Sequence, residues 1–360
     1  MPVCCYCLTR CVVKMLKLSD KQQLFQIFPK IGAFLVKLLI AGLLFYALYH
    51  QLAGKVGKTD FGVAASQAVA GRHILYLLAA VVLVGVNWGI EALKWQRLLL
   101  PVERLAFKDA LGSVLCGVSF SMITPNRTGE YGGRILTLQY ANKWQAVAMA
   151  LSGSFAQLLA NVGCSVSGFV AFCYFFFPAG RQLWFTVATI ALPVLFAVVL
   201  YCFFRLNLLP KALLKWRKTA VIAQFTQPLQ QISRATLAVV LVLSGGRYLV
   251  YLFQYWLLLS AFGISLPWAQ SWMLIGSIFF VQTIVPSVAV AELGIRGNLA
   301  LYFLGFVTTS PAAILWAACT LWVLNLALPA LAGLVILVLT PGSLAWRGRS
   351  LQPIAVKVKG

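Results

Sequence analysis

The chain alternates long apolar runs with short basic or polar stretches. Six runs, residues 31–49, 74–93, 147–177, 184–204, 235–261 and 312–340, are about the length a helix needs to cross a bilayer, roughly 20 residues. The third is longer than one crossing, which predicts tilt or a break near Gly163 or Gly168. Two further runs, residues 110–123 and 270–285, are too short to span comfortably. Each stops at a proline and a polar motif. That is the pattern of a re-entrant hairpin, whose irregular backbone survives at membrane depth only where protein or a wet cavity satisfies it. The pattern predicts an all-α polytopic membrane protein with about six full spans plus two re-entrant hairpins, or eight or more spans if the hairpins cross. Every loop keeps its side in both versions, because two extra crossings cancel.

The two motifs resemble each other. Residues 124–134 read T-P-N-R-T-G-E-Y-G-G-R, and residues 285–296 read V-P-S-V-A-V-A-E-L-G-I-R. Each has a proline, Pro125 or Pro286, followed by Glu-x-Gly-x-Arg: Glu130, Gly132 and Arg134 in the first, Glu292, Gly294 and Arg296 in the second. Pro125 with Gly129, Gly132 and Gly133 argues against an ordinary helix interior in the first. Other landmarks hold nearly the same offset: Gly85 maps to Gly246, Trp95 to Trp256, and Pro178 and Pro341 end corresponding spans. Each half then holds three spans and one hairpin. Three is odd, so the halves have inverted topology, an arrangement found in transporters. The expected division is a basic segment 1–30, a first half 31–204 with its motif region 110–140, a loop and second half 205–340 with its motif region 270–300, and a basic tail 341–360.

Composition supports the membrane reading and adds an orientation. Hydrophobic residues make up 61% and charged residues 10%, with mean hydropathy +0.90, far from a soluble domain. The chain has 29 Lys and Arg against seven Asp and Glu, a net charge of +22. The basic residues fall in short loops beside apolar runs, so they indicate cytoplasmic loops under the positive-inside rule rather than a nucleic-acid surface. Lys94, Arg97, Arg104 and Lys108 mark one such loop, Arg205 to Lys218 another. Both termini are expected in the cytoplasm, and the membrane is expected to be the cell inner membrane. The nine cysteines show no metal-ligand pattern, and the two histidines, His50 and His73, fall in one expected external loop. No nucleophile elbow, phosphate-binding loop or acidic metal cluster appears. The sequence therefore offers no catalytic residue, cofactor site or metal site.

The motif charges are the candidate chemistry. An ionisable residue at membrane depth costs about 2.5 to 3.5 kcal/mol on insertion scales, so it persists when paired or useful. One reading is internal stapling: Glu130 with Arg134 or Arg127, and Glu292 with Arg296. The other places a polar cavity where the hairpins meet. Arg127, Arg134 and Arg296 would offer forks for a phosphate. Glu130 and Glu292 would attract a cation or relay a proton, and Gly129, Gly132, Gly133 and Gly294 would let backbone N–H groups approach an anion. The two readings are compatible. Asn87, Glu91 and Lys94 on the second span, Arg247 on its counterpart, and Asn161 and Asn325 deeper in the bundle are further candidates. For Arg247, snorkelling or pairing is the simpler role. The asparagines would line the cavity or bond between helices.

Pro125-Asn126-Arg127-Thr128-Gly129-Glu130 with Arg134 resembles the P-x-R-x-G-E-x-x-x-R signature of the membrane domain of lysylphosphatidylglycerol synthase/flippase proteins. The resemblance covers roughly residues 31–340. The second motif stands where that family has a glycine-rich stretch ending near a Glu, with Ser287-Val288-Ala289-Val290 in place of the glycines. The resemblance implies an inner-membrane bundle that moves a lipid between leaflets. It also implies a stand-alone member, without the soluble domain that makes lysylphosphatidylglycerol, and so not a lysyltransferase. The expected partners are membrane lipids: an anionic or aminoacylated phospholipid, or a polyprenyl phosphate. A homo-oligomer or a lipid-synthesis partner fits as well; nucleic acid does not. The alternatives are a membrane enzyme or subunit acting on lipid-linked sugars or glycolipids, and a scaffold that transports nothing.

Overall fold

The computed structural model describes residues 58–124, 127–138, 142–177, 183–206, 220–285 and 289–339. The expected span 31–49, both basic termini, Pro125 and Pro286 lie outside the described residues. The described chain folds into helices: α1 (Lys58–Val69), α2 (His73–Leu99), α3 (Phe107–Ile123), α4 (Gly129–Leu136), α5 (Lys143–Phe176), α6 (Leu183–Phe204), α7 (Ala220–Gln231), α8 (Arg234–Ala261), α9 (Trp268–Ile284), α10 (Ala289–Leu304), α11 (Pro311–Trp322) and α12 (Leu328–Leu339). A π-helical turn, Val323–Ala327, joins α11 to α12 in one continuous apolar rod. Four rods are long and apolar enough to cross a membrane: α2, α5, α8 and the α11–α12 rod. This is an all-α polytopic membrane protein.

The helices form where the apolar runs predict them, with two differences, in the polar stretch before α2 and in the first motif. The long third run is unbroken. α5 extends over 34 residues, roughly 50 Å at 1.5 Å per residue, so of the two alternatives, tilt or a break, the break does not occur. The polar stretch before α2 contains a helix, α1. The first motif is also more helical than its glycines suggest, because α4 begins at Gly129 and carries Glu130 and Arg134 on an ordinary helical turn.

The two short runs form short helices. α3 and α9 have 17 residues each, roughly 25 Å, less than the roughly 30 Å hydrocarbon core. Each is followed by a return helix packed against it, α4 on α3 and α10 on α9.

Packing is arranged around α2 and α8, which lie against each other at the centre. Each hairpin reaches across to the other half of the chain: α3 packs on α12, and α9 packs on α5. Small residues permit both crossings, as is usual where helices meet in lipid. A Cβ at Gly168 of α5 would sit 2.8 Å from the Trp272 carbonyl oxygen of α9. A Cβ at Gly333 of α12 would collide with the Leu115 carbonyl and the Ser119 hydroxyl of α3.

Two apolar clusters form the interior. One gathers Ala80, Phe172, Tyr248, Leu252, Leu274 and Leu321; the other gathers Trp95, Leu98, Met149, Leu159, Val240 and Leu326. α2, α5 and α8 contribute to both clusters. On these helices the change from one cluster to the other falls near Asn87, Asn161 and Arg247. A polar layer therefore interrupts the apolar interior at the same level on all three.

Candidate functional site

The polar layer is built from the inside of α2 outward. Asn87, Glu91 and Lys94 share one face of that helix and are all buried, at 0%, 3% and 2% exposure. A carboxylate this deep requires partners, and Glu91 has three cations. Lys94 Nζ lies at 2.6 Å, Arg247 Nη1 of α8 at 2.6 Å and Arg134 Nη2 of α4 at 2.7 Å. Arg134 also pairs with Glu130, one turn back on α4. Asn87 accepts from Arg247 Nε at 2.8 Å and donates to Asn325 at 2.9 Å. The Asn325 amide donates in turn to Gln254 of α8 at 2.8 Å, and Gln254 donates to the Ala80 carbonyl. The π-helical turn holds Asn325 at this level, a local widening often found at functional sites.

A second carboxylate centre belongs to the other hairpin. Glu292 of α10 takes Arg296, one turn ahead, at 2.5 Å, and Arg127 of the first motif at 2.6 Å. The Gln282 side-chain amide of α9 lies beside both Arg296 and Glu292. Arg127–Glu292 is thus an ion pair from one hairpin to the other. Arg127 holds it from a left-handed backbone, φ 56°, which is unfavourable for a residue with a Cβ and tends to occur where the surroundings enforce it.

Aromatic faces complete the cation sites. The Arg247 guanidinium lies 5.0 Å from the Trp88 ring centre, and that of Arg134 lies 5.3 Å from Trp95. The Trp95 indole N–H bonds the Ser113 hydroxyl, which donates to the Arg134 carbonyl at 3.1 Å.

Two cavities adjoin this layer. One, about 260 Å³, is lined by Arg127, Arg247, Arg296, Glu292, Tyr251 and Phe279 among others. The second, about 250 Å³, is lined by Glu91, Lys94, Glu130, Trp88, Arg127 and Arg247 among others. Arg127, Gln157, Asn161 and Arg247 line both and form the wall between them. Arg247 lies 13 residues into α8, roughly 20 Å along its axis, which places the wall near the middle of that span.

Both pairings expected within the motifs occur, Glu130 with Arg134 and Glu292 with Arg296, and a cavity lies beside them. Arg127 pairs across the hairpins rather than within its own. Lys94, expected both on the second span with Asn87 and Glu91 and as the first charge of a basic loop, belongs to the span: it is buried and bound to Glu91 and Gln157. Of the two roles expected for Arg247, snorkelling or pairing, it takes the second and bridges Glu91 and Asn87. Gly129 and Gly133 of the first motif stand where a Cβ would collide with α3, whereas Gly132 has open space around it. A Cβ at Gly133 would lie 2.6 Å from the Cys116 carbonyl oxygen and 2.7 Å from Gly117 Cα, so α4 rests directly on α3. Of the asparagines, Asn161 lines both cavities, whereas Asn325 bonds between helices. Gln157, Gln254 and Gln282 join the site without having been candidates in the sequence, and Thr124 gains a role in the first motif. The Thr124 hydroxyl accepts from the first amide of α4 at 2.6 Å and donates to the Phe120 carbonyl, closing the turn between α3 and α4. A polar residue inside an apolar run was the available signal for the glutamines.

A family model for the lysylphosphatidylglycerol synthase TM region matches residues 34–345. The chain belongs to that family. The matched region contains both hairpins and every residue of the polar layer. That region is the flippase-like membrane part of its family. No curated protein and no solved structure matches the chain.

Proposed function

We propose that the chain is a lipid translocator of the cell inner membrane, with both termini cytoplasmic. It moves an amphipathic lipid with a phosphate or aminoacyl-phosphate head between leaflets. The observation that carries this reading is the Arg127–Glu292 pair, which ties the two hairpins together between two polar cavities near mid-span. A headgroup entering one cavity competes with Glu292 for Arg127. Breaking the pair frees the hairpins from each other and opens the wall to the second cavity. The acyl chains stay in lipid while the head passes the polar layer. Membership in the lysylphosphatidylglycerol synthase TM region family and the transporter character of inverted halves support the same reading.

The test is leaflet exposure of short-chain labelled lipids in proteoliposomes. The panel is phosphatidylglycerol, an aminoacylated phosphatidylglycerol and a polyprenyl phosphate, with Arg134→Ala as control. Movement of one lipid that Arg134→Ala removes is the expected result. No movement of any of them, with folded and correctly inserted protein, would refute translocation by the chain alone.

A further inference from the structure

The charge balance of the polar layer narrows the headgroup. Lys94, Arg127, Arg134, Arg247 and Arg296 face Glu91, Glu130 and Glu292 in one connected set of ion pairs and shared walls. Five cations against three carboxylates leave a surplus of two positive charges among the described residues. Each carboxylate is already engaged: Glu91 by three cations, Glu292 by two arginines, Glu130 by Arg134. Two aromatic faces that could receive an ammonium are taken too, Trp88 by Arg247 and Trp95 by Arg134. The arginines keep donors within reach of the cavities. Side-chain exposure is 39% for Arg127, 14% for Arg247 and 15% for Arg296.

From this balance we infer that the site takes a headgroup with net negative charge, a phosphate without an attached ammonium, and discriminates against aminoacylated or zwitterionic heads. This rests on reading the cavity as the headgroup site of the translocator. An anionic phosphate meets arginine forks in a medium of low dielectric, where opposite charges attract strongly and like charges repel. An ammonium would have to strip an arginine from a carboxylate and would then add to an existing surplus. Selectivity of this kind comes as much from the repulsion of the wrong head as from attraction of the right one. The shared chemistry is a phosphate oxyanion, carried by a lipid or by a soluble ion.

Binding in non-ionic detergent micelles tests this without requiring transport. A fluorescent short-chain phosphatidic acid is the probe, followed by anisotropy. The competitors are unlabelled phosphatidic acid, phosphatidylglycerol, phosphatidylethanolamine, lysylphosphatidylglycerol and inorganic phosphate. The two anionic lipids are expected to compete at least about tenfold better than the two amine-bearing ones. Arg247→Gln, which lowers the surplus, should weaken phosphatidic acid about tenfold, and Glu130→Gln, which raises it, should tighten it. Tightening cannot arise from misfolding, so the opposite signs separate charge from damage. Inorganic phosphate competing as well as the lipid supports the oxyanion chemistry and assigns it to a soluble source. Lysylphosphatidylglycerol competing as well as phosphatidic acid, or Glu130→Gln weakening the anionic probe, overturns the inference. Selective binding with no transbilayer movement would retire the translocator and leave the headgroup assignment in place.

Discussion

Glu91 is the charge on which the first cluster depends, and Glu91→Gln is the most informative single change. The substitution keeps shape and volume but removes the anion shared by Lys94, Arg134 and Arg247. Each pair, at 2.6–2.7 Å, carries a gross attraction of about 6 kcal/mol at an effective dielectric of about 20. Desolvation of four buried groups offsets most of that total. What remains after one partner is removed is the cost of uncompensated buried charge, typically about 3 to 5 kcal/mol. Here the residual cations also repel one another, so the upper part of that range is expected. Equilibrium unfolding in mixed detergent micelles reads the change. The double variant Glu91→Gln, Lys94→Met removes a cation together with the anion and should recover about 2 kcal/mol of the loss, a non-additivity expected of groups in contact. If Glu91→Gln stays within about 1 kcal/mol of the parent, or the double variant is no better than the single, then the cluster is hydrated rather than buried and this reasoning fails.

Three further outcomes are expected. Gly133→Val should separate α4 from α3 and cost about 2 to 3 kcal/mol by overpacking, whereas Gly132→Ala, with open space around its Cα, should leave unfolding unchanged or raise stability by up to about 1 kcal/mol; thermal unfolding of the two variants compares them. Arg127→Gly relieves a left-handed backbone while deleting the cross-hairpin ion pair, so stability should change by less than about 1 kcal/mol while lipid movement in proteoliposomes falls at least about tenfold. Asn325→Leu leaves Asn87 and Gln254 each short of a partner in the apolar interior and should cost about 1 to 3 kcal/mol, read by equilibrium unfolding, with faster amide exchange along α8 as a second readout.

Most of the architecture was legible because each helix is encoded within its own stretch of chain. Run length separated the full rods α2, α5, α8 and α11–α12 from the short α3 and α9. The doubled Glu-x-Gly-x-Arg pointed to both hairpins and to the helical pairs Glu130–Arg134 and Glu292–Arg296, which need only one turn of helix to form. Lys94 was open to two readings, a residue of the span or the start of a basic loop, because its neighbours Arg97 and Arg104 do mark a helix end. A lysine one turn further in looks the same in sequence, and only its burial beside Glu91 distinguishes it.

Local sequence therefore determined the apolar spans, the short hairpin arms and the presence of two charged motifs, because helix length and i to i+4 pairing depend on nearby residues alone. The tertiary structure decided which charges meet. Arg127 crosses to Glu292, and Arg134 and Arg247 converge on Glu91, because α3 packs on α12 and α9 on α5 while α2 and α8 run side by side. Partners more than 150 residues apart, such as Arg247 and Glu91, are chosen by helix packing, and with them the surplus of positive charge at mid-span.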